Sequence, residues 1–425
     1  MVPRRFYPVM AMLALLGLLL AACAPAATPT PAQPAQPTPA PKVKITYWEQ
    51  ESEEVDAFLD ELAAEFMKSN PNVTVERAHY GNEELRDQFQ AASLAGAAPE
   101  LVRVPNDFAG PFSALGIIAK ATEVFDRAFL DQFIPEALNA TRVKGEIWGV
   151  PDNYGNHLML LYNKDLVKEP PKDTDELIKI AQELTRGDSY GFAYNLNEPF
   201  WLAPWLGAFG TWPLDENDKP TFDNSGTVAA LQFVQDLKLK HKVVPQECDY
   251  NCADTLFKEG KAAMIINGDW SLGGYAQVLG DKLGVAPIPK VTATGKHPTP
   301  MTGGKYWMVS KAVLQDPAKL EAVRAFVAYM TSAEVQKKWI ERFKRLPSLK
   351  ALEKDPAIQN DPILKGSFEQ LLLGKPMPAA PEMRCAWDAM RPNLEGVMAG
   401  TLQPADAAKA MQQAADQCVA ELGKK

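Results

Sequence analysis

Residues 261–275 read KAAMIINGDWSLGGY, and this segment decides the fold that we expect. The apolar run 263–266 predicts a short buried strand, and the Asn-Gly pair 267–268 predicts a turn at its end. The turn leads into Asp269 and Trp270 instead of small polar residues. Because ligands of open α/β sheets bind at strand ends, an acid and a large ring at this point indicate a binding cleft.

Short strands and helices alternate on both sides of this segment. Periodicity predicts strands at 44–49, 73–76, 100–104, 158–162, 190–194, 283–287 and 306–309, and helices at 55–66, 83–95, 175–184, 227–240 and 319–343. Strands separated by helices form crossover units and a parallel sheet. The 403 residues that follow the first 22 are too many for one core. We therefore expect an α/β protein of two lobes, with a helical region beyond Pro347.

The N-terminus predicts export. Two arginines precede the apolar run 9–22, which ends in the sequence LAAC at Cys23. This ending resembles a bacterial lipobox, in which Cys23 is lipidated and begins the mature chain; an ordinary signal peptide with a chance cysteine is the alternative. Residues 24–41 contain seven prolines and no charge, so they predict an extended spacer. We expect a cell-surface or periplasmic protein that is anchored to the membrane only through its N-terminus.

The net charge and the cysteines indicate which kinds of partner and site the protein has. The formal net charge of −9 argues against nucleic acid and against a basic membrane-binding surface. In an exported protein the simplest scheme pairs Cys248 with Cys252 and Cys385 with Cys418. The spacing of the first pair also fits a metal site, but the four histidines are scattered along the chain. The sequence therefore predicts disulfides, with no metal and no cofactor.

Four strand ends combine carboxylates or amides with an aromatic ring. They are the segments WEQE (48–51), PNDF (105–108), NEPFW (197–201) and NGDW (267–270). A sugar presents hydroxyl groups, which suit carboxylates and amides, and a face of C–H groups, which suits an aromatic ring. A core position is the alternative for any single ring. The repetition at four strand ends favours a carbohydrate cleft.

Several of these segments resemble a known family. The segment 261–270 resembles the strand and ING-x-W turn of the maltodextrin-binding family, the extracellular sugar-binding components of ABC importers. Further blocks agree in the family's order, and together the resemblance covers residues 43–425: KVKITYW (42–48), LYNKDL (161–166), NLNEP (195–199) and PEMRCAW (381–387).

The resemblance implies a type II periplasmic-binding-protein fold, in which two α/β lobes are joined by a hinge and hold the ligand between them. Both lobes would be discontinuous in sequence. The implied N-terminal lobe has residues 43–153 and 301–348, and the implied C-terminal lobe has residues 154–300 and 349–425. A signal peptide (1–22) and a lipidated tether (23–42) would precede them.

The resemblance also implies roles for individual residues. Trp270 and Trp387 match tryptophans that stack on sugar rings, and Glu198 matches a carboxylate that accepts sugar hydroxyls. Phe200 stands where a stacking tyrosine would be, and Asp107 matches an acid from the other lobe. The remaining implied candidates lie at the crossings between lobes: Tyr154, Asn156, Gly304 and Trp307. At the first strand end, Glu49, Gln50 and Glu51 are candidates for contacts that the family makes with other residues, and a solvated strand end is the alternative.

The chain also departs from the family pattern. Ser52 and Glu53 stand where the pattern has an Asp-Lys pair, and Phe108 replaces an arginine. These differences predict another arrangement of hydroxyl contacts, so the resemblance does not identify the sugar. Asp269 has two interpretations, a ligand contact or a cap of the helix that begins near Trp270.

The expected function is the sugar-binding component of an ABC importer. It would be a monomer and not an enzyme, and it would capture a mono- or oligosaccharide of the maltodextrin or trehalose class by hinge closure. Its partners would be the carbohydrate and the importer's transmembrane subunits. Two alternatives stay open: a binding protein for a non-sugar organic solute, and a secreted glycoside hydrolase, which needs two carboxyl groups about 5–10 Å apart.

Overall fold

The computed structural model describes residues 42–422. The predicted signal peptide, the lipidation site Cys23 and all but the last residue of the predicted tether lie outside these residues and stay predictions. Within 42–422, no helix is both long and apolar enough to cross a membrane.

Thirteen strands occur in the described part of the chain. They are β1 (Val43–Glu49), β2 (Val73–His79), β3 (Leu101–Pro105), β4 (Arg142–Val143), β5 (Glu146–Ile147), β6 (Val150–Pro151), β7 (Leu158–Asn163), β8 (Tyr190–Ala193), β9 (Ala262–Gly268), β10 (Leu283–Ala286), β11 (Met301–Thr302), β12 (Lys305–Val309) and β13 (Lys375–Pro376).

Seventeen α-helices accompany them in the same residues. They are α1 (Asp56–Ser69), α2 (Asn82–Leu94), α3 (Ala109–Ala114), α4 (Ala121–Val124), α5 (Arg127–Leu130), α6 (Pro135–Asn139), α7 (Thr174–Leu184), α8 (Pro199–Ala208), α9 (Ser225–Leu239), α10 (Tyr250–Lys258), α11 (Leu272–Leu279), α12 (Pro317–Met330), α13 (Ala333–Phe343), α14 (Pro356–Gln359), α15 (Pro362–Leu371), α16 (Glu382–Met398) and α17 (Pro404–Leu422).

Two main sheets organise the molecule. The first has the strand order β2-β1-β3-β12-β6, and the second has the order β10-β7-β9-β8. The expected parallel pairing holds for β1 with β2 and β3, and for β8 with β9. The other main-sheet pairs are antiparallel, so both sheets are mixed and the predicted parallel pairing is confirmed only in part. Strand β12 joins the first sheet only after the chain has passed through the second sheet, and it runs antiparallel to β3.

Each sheet carries its own hydrophobic core. In the second sheet, β9 is buried along its whole length, which explains its continuous apolar run. Helix α8 (PFWLAPWLGA) is apolar on every side and lies inside this core. Helices α16 and α17 pack against each other and against α9. The cores of the first sheet are closed by α1, α12 and α13 on one side and by α2 and α3 on the other.

Residues 42–422 contain two disulfides, with the pairing that the sequence predicts. Cys248 is bonded to Cys252 at the start of α10. Cys385 of α16 is bonded to Cys418 of α17.

The chain passes between the two sheets through paired segments. The first crossing connects β6 to β7, and the second connects the region after β10 to β12. Gly155 and Gly303, one from each crossing, exchange two backbone hydrogen bonds of 2.9 and 2.8 Å. The amide of Asp152 also donates to the carbonyl of Lys305 at 2.8 Å. The two crossings therefore form a short two-stranded ribbon.

A buried ion-pair network lies where this ribbon meets the first sheet. Arg103 of β3 is 1% exposed and donates to Asp152 Oδ2 from Nε at 2.8 Å and from Nη2 at 2.5 Å. Its Nη1 donates to Glu51 Oε1 at 2.6 Å, and Arg345 Nη2 donates to Glu51 Oε2 at 2.7 Å. Burial raises the pKa of Glu51, but Arg345 and Arg103 together hold it well below its usual range. The network joins β3, the end of β1 and the first crossing.

We predict that Arg103→Met destabilises the protein by about 3–5 kcal/mol, because buried Asp152 loses its guanidinium partner and buried Glu51 keeps only Arg345. Urea unfolding followed by circular dichroism measures this change. The control is Arg127→Met, which removes an exposed pair with Asp131 and costs below about 1 kcal/mol. Equal effects of the two substitutions would contradict the importance of the network.

Candidate functional site: a cleft between the two sheets

A cavity of about 600 Å³ lies between the strand ends of the two sheets. On the first-sheet side it is lined by residues that follow β1 and β3, by the start of α2 and by Lys305 at the start of β12. On the second-sheet side it is lined by residues that follow β8 and β9, by the start of α10 and by α16. The cavity therefore lies where the sequence predicts a ligand cleft.

Seven of the eleven predicted ligand-binding residues line this cavity. They are Trp270, Trp387, Glu198, Asp107, Asn156, Phe200 and Gln50. The structure thus brings together side chains that are as far as 337 residues apart in the sequence, from Gln50 to Trp387. Their contact with a ligand stays a prediction.

Two of the other four candidates lie at the return into the first sheet. Trp307 is fully buried in the first-sheet core, and its Nε1 donates to Asp152 Oδ1 at 3.2 Å. Gly304 packs closely against the first crossing segment, because a Cβ there would be 2.1 Å from the carbonyl oxygen of Asn153. Neither residue lines the cavity, since Trp307 belongs to the core and Gly304 permits close packing of the crossing segments.

The last two candidates are also engaged by the protein. Glu49 is fully buried, and its Oε1 accepts from Arg77 at 2.8 Å. Tyr154 packs against the first-sheet core, and its backbone amide donates to the carbonyl of Leu346 at 3.2 Å. The structure therefore does not bring Glu49 or Tyr154 to the cavity.

Asp269 is buried directly after β9, and its contact with a ligand stays a prediction. It does not line the cavity, and no side chain caps the helices that begin at Asp269 and Leu272. Its Oδ2 accepts from Asn153 Nδ2 at 3.5 Å. A Cβ on Gly155 would lie 2.2 Å from the same oxygen. The carboxylate is therefore packed against the first crossing segment.

Aromatic rings form one wall of the cleft. The ring centroid of Phe200 lies 6.1 Å from that of Trp270 and 6.3 Å from that of Trp387. Trp201 meets Trp270 edge-on at 6.0 Å. The Trp270 ring folds over Gly268, where a Cβ would come within 2.1 Å of the ring. The turn after β9 therefore needs glycine so that Trp270 can stand at the cavity.

Carboxylates in ion pairs with arginines line the same cavity as these rings. Asp107 Oδ2 accepts from Arg86 Nη2 at 3.2 Å and from Trp387 Nε1 at 3.1 Å, so it connects the two sides of the cleft. Glu198 accepts from Arg391 at 2.5 and 3.4 Å. Carboxylates and guanidinium groups thus stand beside ring faces in one cavity.

Arg86 is a cleft residue that the sequence reasoning missed. Its side chain is 2% exposed, and its guanidinium carbon lies 3.8 Å from the ring centroid of Phe108. Its Nε and Nη1 atoms are buried and have no hydrogen-bond partner. The available signal was its place in α2 between the buried residues Leu85 and Phe89, where a surface arginine is not expected.

Other cleft residues were also missed, namely Lys305, Arg391, Tyr250, Asn195 and Glu83. Burial raises the pKa of Glu83, but Arg86, Arg384 and Arg391 lower it, and the net shift is downward. Lys305 behaves differently, because burial lowers its pKa from 10.5 to about 8 in spite of the nearby Glu51.

One group in the described residues has metal-ligand geometry. Carboxylate and imidazole atoms of Glu49, Asp56 and His79 lie within 4.8 Å of one another. Arg77 Nη1 donates to both carboxylates at 2.8 Å. The guanidinium already supplies the positive charge there, so these residues do not fit a metal site.

Comparison with known proteins identifies a family of similar proteins. A family model described as bacterial extracellular solute-binding protein matches residues 61–366. Among curated proteins, the maltotriose-binding protein of Pyrococcus abyssi is 27% identical over 360 residues, which covers 84% of this chain and 77% of the relative. The galactooligosaccharide-binding protein of Bacillus subtilis is 24% identical over 421 residues, 96% of this chain and 95% of the relative.

Solved structures agree with this family. The maltose/maltodextrin-binding domain of Bdellovibrio bacteriovorus, bound to maltotriose, superposes with a TM-score of 0.85 at 37% identity and covers 89% of this chain and 100% of that one. The maltotriose-binding protein of Thermus thermophilus, bound with maltotriose, has a TM-score of 0.79 at 27% identity, with 88% and 100% coverage. These similarities confirm the predicted two-lobed fold class.

We predict that Lys305 makes stability depend on pH in the range from about 8 to 10.5. In this range the unfolded chain holds a proton that the folded protein does not, so rising pH favours folding. The unfolding free energy of the wild type should therefore rise relative to Lys305→Met by roughly 2–3 kcal/mol between pH 7 and 10. Urea unfolding of both proteins at each pH measures the difference. A constant difference would contradict the lowered pKa.

Proposed function

The chain belongs to the bacterial extracellular solute-binding proteins, and we propose that it captures an oligosaccharide as the sugar-binding component of an ABC importer. The observation that carries this proposal is the cleft itself, where the rings of Phe200, Trp270 and Trp387 face carboxylates paired with arginines. Ring faces suit the C–H surface of a sugar, and the paired charges suit its hydroxyl groups.

The sugar that fits best is a short α-glucan such as maltotriose. The Pyrococcus abyssi relative is named for maltotriose, and the two solved structures contain it. A cavity of about 600 Å³ lies within the range of small-molecule sites. The Bacillus subtilis relative is named for galactooligosaccharides, so a β-linked oligosaccharide is the second candidate to test.

Binding would act through closure of two lobes. The proposed first lobe has residues 43–153 and 301–348, and the second has residues 154–300 and 349–425. The contact from Trp387 to Asp107 crosses the cleft between these lobes. A sugar that contacts both walls stabilises the closed form by its differential affinity for that form. The crossing segments with Gly155 and Gly303 would form the hinge, together with the third crossing that these bounds place at 348–349.

The proposal includes the setting of the protein. Lipidation of Cys23 and the proline-rich tether would keep a monomer at the outer face of the membrane, beside the importer's transmembrane subunits. The role is binding without catalysis, in keeping with a family of solute-binding proteins. The cleft carboxylates support this role because they are engaged with arginines, Asp107 with Arg86 and Glu198 with Arg391.

We predict a saturable change in tryptophan fluorescence when maltotriose is added, with an affinity that Trp270→Ala lowers roughly 10–100-fold because a stacking face is lost. Trp148→Phe is the control, since Trp148 packs outside the cavity against the first-sheet core. Maltose, trehalose and galactotriose complete the panel. Folded, ligand-free protein that binds none of these sugars by calorimetry would refute the proposed function.

We predict that Arg86→Met weakens maltotriose binding by about 10–100-fold, since this cavity-lining side chain has two buried donor nitrogens, Nε and Nη1, without a partner in the protein. Arg86→Lys should recover only part of the affinity, because an ammonium group cannot reproduce the planar donor fork. Calorimetry measures both variants, with Arg127→Met as a control for removal of an exposed arginine. Wild-type affinity in Arg86→Met would contradict a ligand contact.

A further inference from the structure

The Cys248–Cys252 disulfide closes a short loop, CDYNC (248–252), directly beside the cleft. The two residues inside this loop that begin α10, Tyr250 and Asn251, both line the cavity. Cys248 is buried, and Cys252 packs against the second-sheet core. The disulfide is therefore part of the cleft wall.

Tyr250 connects the loop to the stacking tryptophan. Trp270 Nε1 donates to Tyr250 Oη at 3.1 Å. Trp201 also meets the Tyr250 ring edge-on, with centroids 6.0 Å apart, and it meets Trp270 at the same distance. The orientation of the Trp270 ring thus depends on where Tyr250 stands.

Cys248 connects the loop to a second group of cleft residues. Its carbonyl oxygen accepts from the amide of Leu196 at 3.0 Å. Leu196 lies between Asn195 and Glu198, which both line the cavity. The same loop therefore holds the segment that follows β8 and the ring that follows β9.

This disulfide is expected to stabilise the fold less than the second disulfide does. The stabilisation that a disulfide gives through the unfolded chain grows with the length of the loop it closes. Cys248 and Cys252 lie 4 positions apart in the sequence, whereas Cys385 and Cys418 lie 33 positions apart. Asp249 Oδ1 already caps α10 by accepting from the Cys252 amide at 2.8 Å, so the helix start is stabilised independently.

We propose that the Cys248–Cys252 disulfide is a positioning element of the sugar site, which fixes Tyr250 and thereby the Trp270 ring. This inference rests on the proposed function, because it assumes that Trp270 stacks on the ligand. Without the disulfide, the loop gains conformational freedom that sugar binding must remove again, so affinity falls while the fold persists.

The first test is the double variant Cys248→Ser/Cys252→Ser in the full chain. We expect its Kd for maltotriose to rise about tenfold, as for the loss of one well-positioned hydrogen bond. We also expect a smaller drop in Tm than in Cys385→Ser/Cys418→Ser. Tyr250→Phe should give part of the same rise in Kd. An unchanged Kd in the folded double variant overturns the inference.

A second test covers the case in which the double variant does not fold. In Cys385→Ser/Cys418→Ser, dithiothreitol gives two electrons and two protons to the remaining disulfide and ends as a cyclic disulfide. We expect the Kd for maltotriose to rise on reduction and to return on reoxidation. A shift in ligand-free tryptophan emission should accompany reduction and be much smaller when Trp270→Phe is added. Equal Kd values before and after reduction overturn the inference.

The two proposals fail in different ways. If the wild type binds no sugar of the panel, the proposed function fails and no comparison of variants arises. If the wild type binds maltotriose and the reduced protein binds it equally well, only the positioning role of the disulfide fails.

Discussion

Arg103 and its two buried carboxylate partners are the interaction on which the rest of the structure depends. Through Asp152, Arg103 fixes the point at which the chain leaves the first sheet, and through Glu51 it fixes the end of β1. Buried charges are costly unless every partner is satisfied, and here Arg345 supplies the second partner of Glu51. The network thus fixes the position of Glu51, which lines the cavity, relative to Asp152, which lies at the start of the first crossing.

Two carboxylates of the cleft already have partners within the protein. The Asp107 carboxylate is held by Arg86 and Trp387, and the Glu198 carboxylate is held by Arg391. Side chains that are already ordered lose little entropy when a sugar binds, so more of the contact energy is available for affinity. The Trp270 ring is held in the same way, since Trp201 packs edge-on against it.

Much of this site could be predicted from the sequence, and the exceptions have physical reasons. Trp270 and Glu198 lie in local motifs, next to strands whose apolar runs are unmistakable. Trp307 also follows a glycine-rich turn, but it lies inside β12, which is buried along its whole length, and only the three-dimensional structure shows that this ring belongs to the core. The place of Arg86 among buried residues of α2 was a signal that it is not a surface arginine, but its partners Asp107 and Phe108 come from another element, so the sequence did not show that it lines the cleft.

The two-stranded ribbon between the sheets has a mechanical consequence. A single flexible strand would let the two halves twist and bend in any direction. Where Gly155 and Gly303 are hydrogen-bonded to each other in both directions, the two crossing segments must move together. Bending across the ribbon stays easy, while twisting would break those hydrogen bonds. In the proposed closure, these hydrogen bonds would restrict the motion to one main direction, so the same side chains would meet each time.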